Sequence, residues 1–140
     1  MSSTSRSSTL RRAVSVSLAV PVAAIAFACS SSKPQVCGDA AALKTQLKNL
    51  GSSDSSPNKL TAIRNDLQAA RVDLTQLENA AKDEFAGEID TFNNALTGAE
   101  AAVSTAASAP TAGNLANTAV AAKNVVDSGR ALTAAVDDKC

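Results

Sequence analysis

Between Pro57 and Ser108 the larger apolar side chains fall at Leu60, Ile63, Leu67, Leu74, Leu77, Phe85, Ile89, Phe92, Leu96 and Val103, with Ala70, Ala81 and Ala99 filling the intervals. Steps of three and four alternate through most of this run, the spacing that keeps one stripe of a helix turned toward a partner. No proline interrupts the run after Pro57, so the pattern predicts a single long helix over 57–108. Its apolar seam needs covering, and the flanking segments must supply the cover.

Upstream, Leu43, Leu47 and Leu50 form a shorter stripe, with Asp39 placed to cap Ala40 to Ala42 and Gly51 placed to end the helix. This predicts a helix over about 39–51. Ser52 to Ser56 is a turn sequence, and Ser56-Pro57 suits a helix start, with serine as the cap and proline at the first helical position, where its missing N–H costs nothing. Ala109-Pro110 stops the long helix. Leu115, Ala119, Ala122, Val126, Leu132 and Val136 then predict a last helix over about 111–138. The expected fold is all-α, an elongated antiparallel three-helix bundle in which the first and last helices lie end to end along one long central helix. A central helix of that length is a rod of about 75–80 Å.

The stripe has one irregularity. From Leu77 it advances through Ala81 and Phe85 to Ile89 in three consecutive steps of four, a stutter that rotates the seam around the helix. In the three-helix arrangement the stutter marks the place where the partner changes from the first helix to the last. A break at Gly87 would instead make four helices. Lys82 to Glu88 contains neither a proline nor a turn cluster to support that break. The four-helix layout is also expected to leave Cys37 and Cys140 about 35 Å apart. Folding three helices brings those two cysteines within about 13 Å, a gap that frayed ends could close to a disulfide's span.

Composition narrows the possibilities. The chain has 140 residues, no His, no Trp and no Tyr, and three Phe; its hydrophobic fraction of 45% owes much to alanine. Alanine is the strongest helix former, and β-branched or aromatic runs that would favour strands are missing. Thirteen basic residues balance thirteen acidic ones, which gives no reason to expect a nucleic-acid partner.

Residues 1–28 have the layout of an export signal. A Ser- and Arg-containing start is followed by an apolar, uncharged run from Ala13 to Ala28 with Pro21 inside it. Its sixteen residues fall short of the roughly twenty that span a bilayer. Arg11-Arg12 raises the twin-arginine route, but Ala13-Val14-Ser15 does not continue that motif, so general secretion is expected. Removing Arg6, Arg11 and Arg12 with the leader takes the basic count from thirteen to ten against thirteen acidic residues, all of which lie downstream.

Immediately after the apolar run come Ile25-Ala26-Phe27-Ala28-Cys29 and a serine-rich stretch. This resembles a bacterial lipoprotein cleavage site, in which a small residue precedes a cysteine that receives lipid and becomes the new amino terminus. The site departs from the usual pattern at Ala26, where such sites commonly carry Leu. Ordinary cleavage after Ala26-Phe27-Ala28, leaving Cys29 unmodified, is the alternative. The expected organisation is a signal peptide over 1–28, a lipidated Ser-rich tether over 29–36 and a helical domain over 37–140. Lipid on Cys29 also resolves the odd count of three cysteines, since it leaves Cys37 and Cys140 as a pair for an oxidising compartment. Free or metal-binding thiols are the other reading of that pair, disfavoured by the absence of His and of any C-x-x-C spacing.

No catalytic, cofactor or metal site is expected. Without His the chain lacks the commonest general base, and no G-x-S-x-G or phosphate-binding glycine loop occurs. Asp83, Glu84, Glu88 and Asp90 are the densest acidic cluster, with Glu84 and Glu88 expected at i and i+4 on one solvated helix face. Gly98 and Gly129, each inside a predicted helix, are expected to allow close helix approach. The leader, Cys37-Gly38-Asp39 at the start of an alanine-rich helical domain and the terminal Cys140 together resemble the small, uncharacterised lipoproteins of the actinobacterial cell envelope. That resemblance implies a location and carries no activity. The expected function is a non-enzymatic envelope lipoprotein, held on the outer face of the cytoplasmic membrane by lipid on Cys29, that binds an envelope protein or acts as a spacer. The alternatives are a carrier of a small apolar molecule between the helices and, for location, a freely secreted chain.

Overall fold

A computed structural model describes residues 32–140, and they form four helices: α1 Ser32–Ser52, α2 Leu60–Ala81, α3 Ala86–Ser108 and α4 Ala112–Asp137. The all-α expectation holds; the three-helix arrangement does not. Helix α1 packs on α2 and α4, and α3 packs on the same two, so each helix has two neighbours around one closed ring. The connections are short, consecutive helices are antiparallel, and the bundle is about 35–40 Å long. The 75–80 Å rod is therefore folded in half.

The reversal that halves it lies at Lys82–Phe85, just before Gly87. Lys82 N–H still donates to Glu78 O, after which the amides of Glu84 and Phe85 both donate to Ala81 O and close a tight turn. Phe85 is buried at 3% exposure, and its carbonyl accepts the Ile89 N–H that starts α3. The three consecutive steps of four are thus the mark of a chain reversal pinned by a buried aromatic. The apolar stripe survives because α2 and α3 present their halves of it to one common core.

That core holds Leu43, Leu47 and Leu50 of α1, Leu60, Ile63, Leu67, Leu74 and Leu77 of α2, and Ile89, Phe92, Leu96 and Val103 of α3, all buried. On α4, Val126, Leu132 and Val136 are buried as expected, but Leu115 and Ala122 are only half-buried and Ala119 is exposed. The face that α4 turns inward instead includes Thr118, Val125, Gly129 and Thr133. Thr118 stays satisfied there because its hydroxyl lies 3.0 Å from Asn114 O and 3.3 Å from Ala102 O on α3. Thr133 likewise donates to Arg130 O at 3.1 Å.

The helix starts also differ from expectation. Helix α1 begins at Ser32, so most of the expected 29–36 tether is helical and Asp39 lies inside α1, where it caps nothing. Before α2, Pro57–Lys59 form a single 3₁₀ turn with extended Ser56 preceding it. The Ser56 side chain makes no cap; its hydroxyl donates to Asp54 Oδ1, which also accepts the Ser56 N–H at 3.1 Å and holds Asp54 below the usual carboxylate range. The cap of α4 is Thr111, whose hydroxyl oxygen accepts the Asn114 N–H at 3.2 Å.

Candidate functional site

Four antiparallel helices return the chain to the end of the bundle from which it set out, and this brings Cys37 and Cys140 together. Their sulfurs are bonded, with Cα atoms 6.1 Å apart across 103 residues of sequence. The expected 35 Å separation for a four-helix layout was wrong because it did not allow for an even number of antiparallel helix passes, joined by three reversals, to return the chain to its starting end. Ala80, Ala81 and Phe85 at the α2–α3 turn line a small depression of about 50 Å³ against the disulfide. Lys139 reaches Glu84 of that turn at 3.8 Å, an exposed pair of little energetic weight. The leader, the lipidation candidate Cys29 and residues 30–31 of the expected tether lie outside the described residues.

The acidic cluster is dispersed by the turn. Glu84 precedes α3 while Glu88 is in its first turn, so the two do not form an i, i+4 pair on one helix. Among the described residues no group of three or more His, Cys, Asp or Glu side chains is placed to hold a metal, and no helix is long and apolar enough to cross a membrane.

Two carboxylates that the sequence reading did not pair meet across the α1–α2 seam. Asp39 and Asp73 each bury one carboxylate oxygen that has no hydrogen-bond partner. Burial raises the Asp73 carboxyl above its ordinary range, and the charge of Asp39 adds to the effect. Asp66, further along the same helix, is raised by burial alone. A carboxyl whose folded value lies above its unfolded value costs stability at neutral pH, and that cost is relieved as pH falls through the folded value. Asp73→Asn should therefore melt at a higher temperature than the parent at pH 7. The gap should close as pH is lowered toward about 4, the unfolded carboxyl range, in melting curves recorded across that interval. A gap independent of pH would refute the assignment.

Across the α2–α3 seam, Arg71 makes a forked pair with Glu100, Nε to Oε1 at 2.8 Å and a terminal nitrogen to Oε2 at 3.0 Å, and reaches Asn93 Oδ1 at 3.0 Å. Bonding to Glu100 raises the guanidinium value, and the arrangement sets how α2 and α3 slide against each other.

Two depressions follow the α1–α4 seam. One, of about 400 Å³, lies between the α1–α2 loop and α4 and is lined by Leu50, Asp54, Ala122, Lys123, Val126 and Arg130 among others. The other, of about 280 Å³, adjoins it at Arg130 and includes Lys44, Lys48 and Asp137. Both are open to solvent, with mixed polar and apolar walls. Next to Arg130, Gly129 lets α4 pack closely on its neighbours: a Cβ built there would lie 2.6 and 2.7 Å from the Leu47 methyl carbons and 2.9 Å from a ring carbon of Phe92. Gly98 has open space around the same position. Of the two glycines expected to allow close approach, only Gly129 does so. Compared with protein-family models, with characterised proteins and with solved structures, the chain matches none significantly.

Proposed function

We propose that this protein is a non-enzymatic, exported lipoprotein of the cell envelope, a compact helical module tethered through Cys29 that binds a partner protein. The observation that carries this reading is the pairing of Cys37 with Cys140. It uses two of the three cysteines and leaves Cys29 alone, directly after an apolar leader. Because α1 starts at Ser32, an anchor on Cys29 would be no more than about 11 Å from the bundle. It would hold the disulfide-closed end at the membrane and turn the α1–α2 and α3–α4 loops outward.

The halved length weighs against a spacer, since a bundle of about 35–40 Å reaches little beyond its own thickness of loops and side chains. A carrier reading gains no support from the grooves along α1 and α4, because a buried ligand needs a chamber that encloses most of its surface.

The deciding experiment is the intact mass of the chain expressed in an actinobacterial host, taken with and without reduction and thiol labelling. A mass beginning at Cys29 with added acyl groups, and two labels gained only on reduction, is the expected result. An unacylated mass with a labelled Cys29 would remove the tether from the reading.

A further inference from the structure

We propose that the α1–α4 groove binds an oxyanion, a phosphate or carboxylate group, between Lys48 and Arg130. The register of the two antiparallel helices is fixed at several points: Cys37 is bonded to Cys140, Lys44 pairs with Asp137, Leu47 sits on Gly129, and Gly51 faces Val126, whose methyl carbons a Cβ at Gly51 would meet at 3.6 and 3.8 Å. Those four pairings place Lys48 opposite Arg130, and both line the same depression of about 280 Å³. On either side the neighbouring charged groups have partners of their own. Lys44 is paired with Asp137 and Lys123 with Asp127, while Asp54 at the upper end is engaged by Ser56.

Between those pairs stand two cations without a direct partner: among the described residues neither Lys48 nor Arg130 makes an ion pair or a side-chain hydrogen bond. Gly129 lets α1 and α4 approach closely at this level, so the backbones that carry Lys48 and Arg130 are held across one narrow seam while their exposed side chains stay free to close on a ligand. Like charges held opposite each other repel, and a bound anion turns that repulsion into two attractive contacts. Arg130 supplies a planar fork suited to two oxygens of one phosphate or carboxylate, and Lys48 supplies a mobile point charge. The inference does not depend on how the chain is anchored.

The test is a titration of the isotope-labelled chain with inorganic pyrophosphate and, separately, with citrate at constant ionic strength, followed through its backbone amide resonances. Saturable shifts concentrated at residues 44–51 and 126–134 are expected. Lys48→Gln and Arg130→Gln should each weaken binding by about tenfold, whereas Lys82→Gln at the far end of the bundle should not. Pyrophosphate alone saturating the site would narrow the ligand to phosphates, and citrate alone to carboxylates. Melting curves provide an independent readout. Without added anion, Lys48→Gln should melt no lower than the parent, which also shows that it folds, and only the parent should be stabilised by the saturating anion. Shifts that never saturate, that spread evenly over the lysines, or that persist in both groove variants would overturn the proposal.

Discussion

Replacing Cys37 or Cys140 with serine is expected to lower the melting temperature by roughly 20 °C or more. The bond closes a loop spanning 103 residues of sequence, nearly the whole helical domain. In the chain-entropy account, opening a loop of that size costs about 4 to 5 kcal/mol. In a domain of this size each 1 kcal/mol moves the midpoint by roughly 4–8 °C. The core is built chiefly of leucine with valine and alanine, and Phe85 and Phe92 are its only buried aromatic side chains among the described residues. Thermal unfolding followed by circular dichroism, with and without reductant, checks the prediction. The reduced parent should melt with the variants, and coincident curves for oxidised parent and variants would show that the bond contributes nothing to stability.

Gly129→Ala and Gly98→Ala are expected to shift stability in opposite directions. At both positions alanine gains about 1 kcal/mol of helix propensity over glycine. At Gly98, in the exposed face of α3, a Cβ meets nothing within 4 Å, so the gain should appear nearly whole. At Gly129 the new methyl would fall within 3 Å of Leu47 and Phe92, both fully buried and hemmed in by the other helices. Overpacking of that kind costs about 1–3 kcal/mol, enough to cancel the propensity gain and leave a net loss of up to about 2 kcal/mol. Denaturant unfolding of the two variants beside the parent measures both signs. The cause can be isolated with Leu47→Val, which should cost less in the Gly129→Ala background than in the parent, because a shorter side chain at Leu47 makes room for the methyl.

The same two glycines show how far a one-dimensional pattern reaches. The stripe of apolar residues from Leu60 to Val103 was legible at every position, since burial of a helical face depends only on local spacing. The reversal inside it was not, because Lys82, Asp83 and Glu84 carry no glycine or proline and the turn is held by Phe85 entering the core. A pattern of fours signals only that the seam rotates. It does not distinguish a shifted partner from a chain that doubles back.

On α4 the reading followed the large apolar residues and so passed over Thr118, Gly129 and Thr133, whose burial depends on what faces them. The disulfide pairing was legible from cysteine parity. The geometry offered for it was not sound, since the pairing arises from four helices and not from three. Asp39 against Asp73, and Lys48 against Arg130, depend on the register between helices far apart in sequence, which no local spacing encodes.

The bond between Cys37 and Cys140 has a further consequence for how the protein would endure attack. Helices α2, α3 and α4, and α1 from Cys37 onward, lie within the covalent loop that it closes. A protease that cuts once in Ser53–Ser56, in the Lys82–Phe85 turn or at Ala109–Thr111 releases no fragment; it relocates the chain ends and leaves every helix covalently tied to the others. Such a nicked molecule would migrate as one species until reduced, its two pieces held together by the disulfide. Wherever the protein meets a protease, the staple turns a first cut into a rearrangement of connectivity and makes the second cut the one that matters.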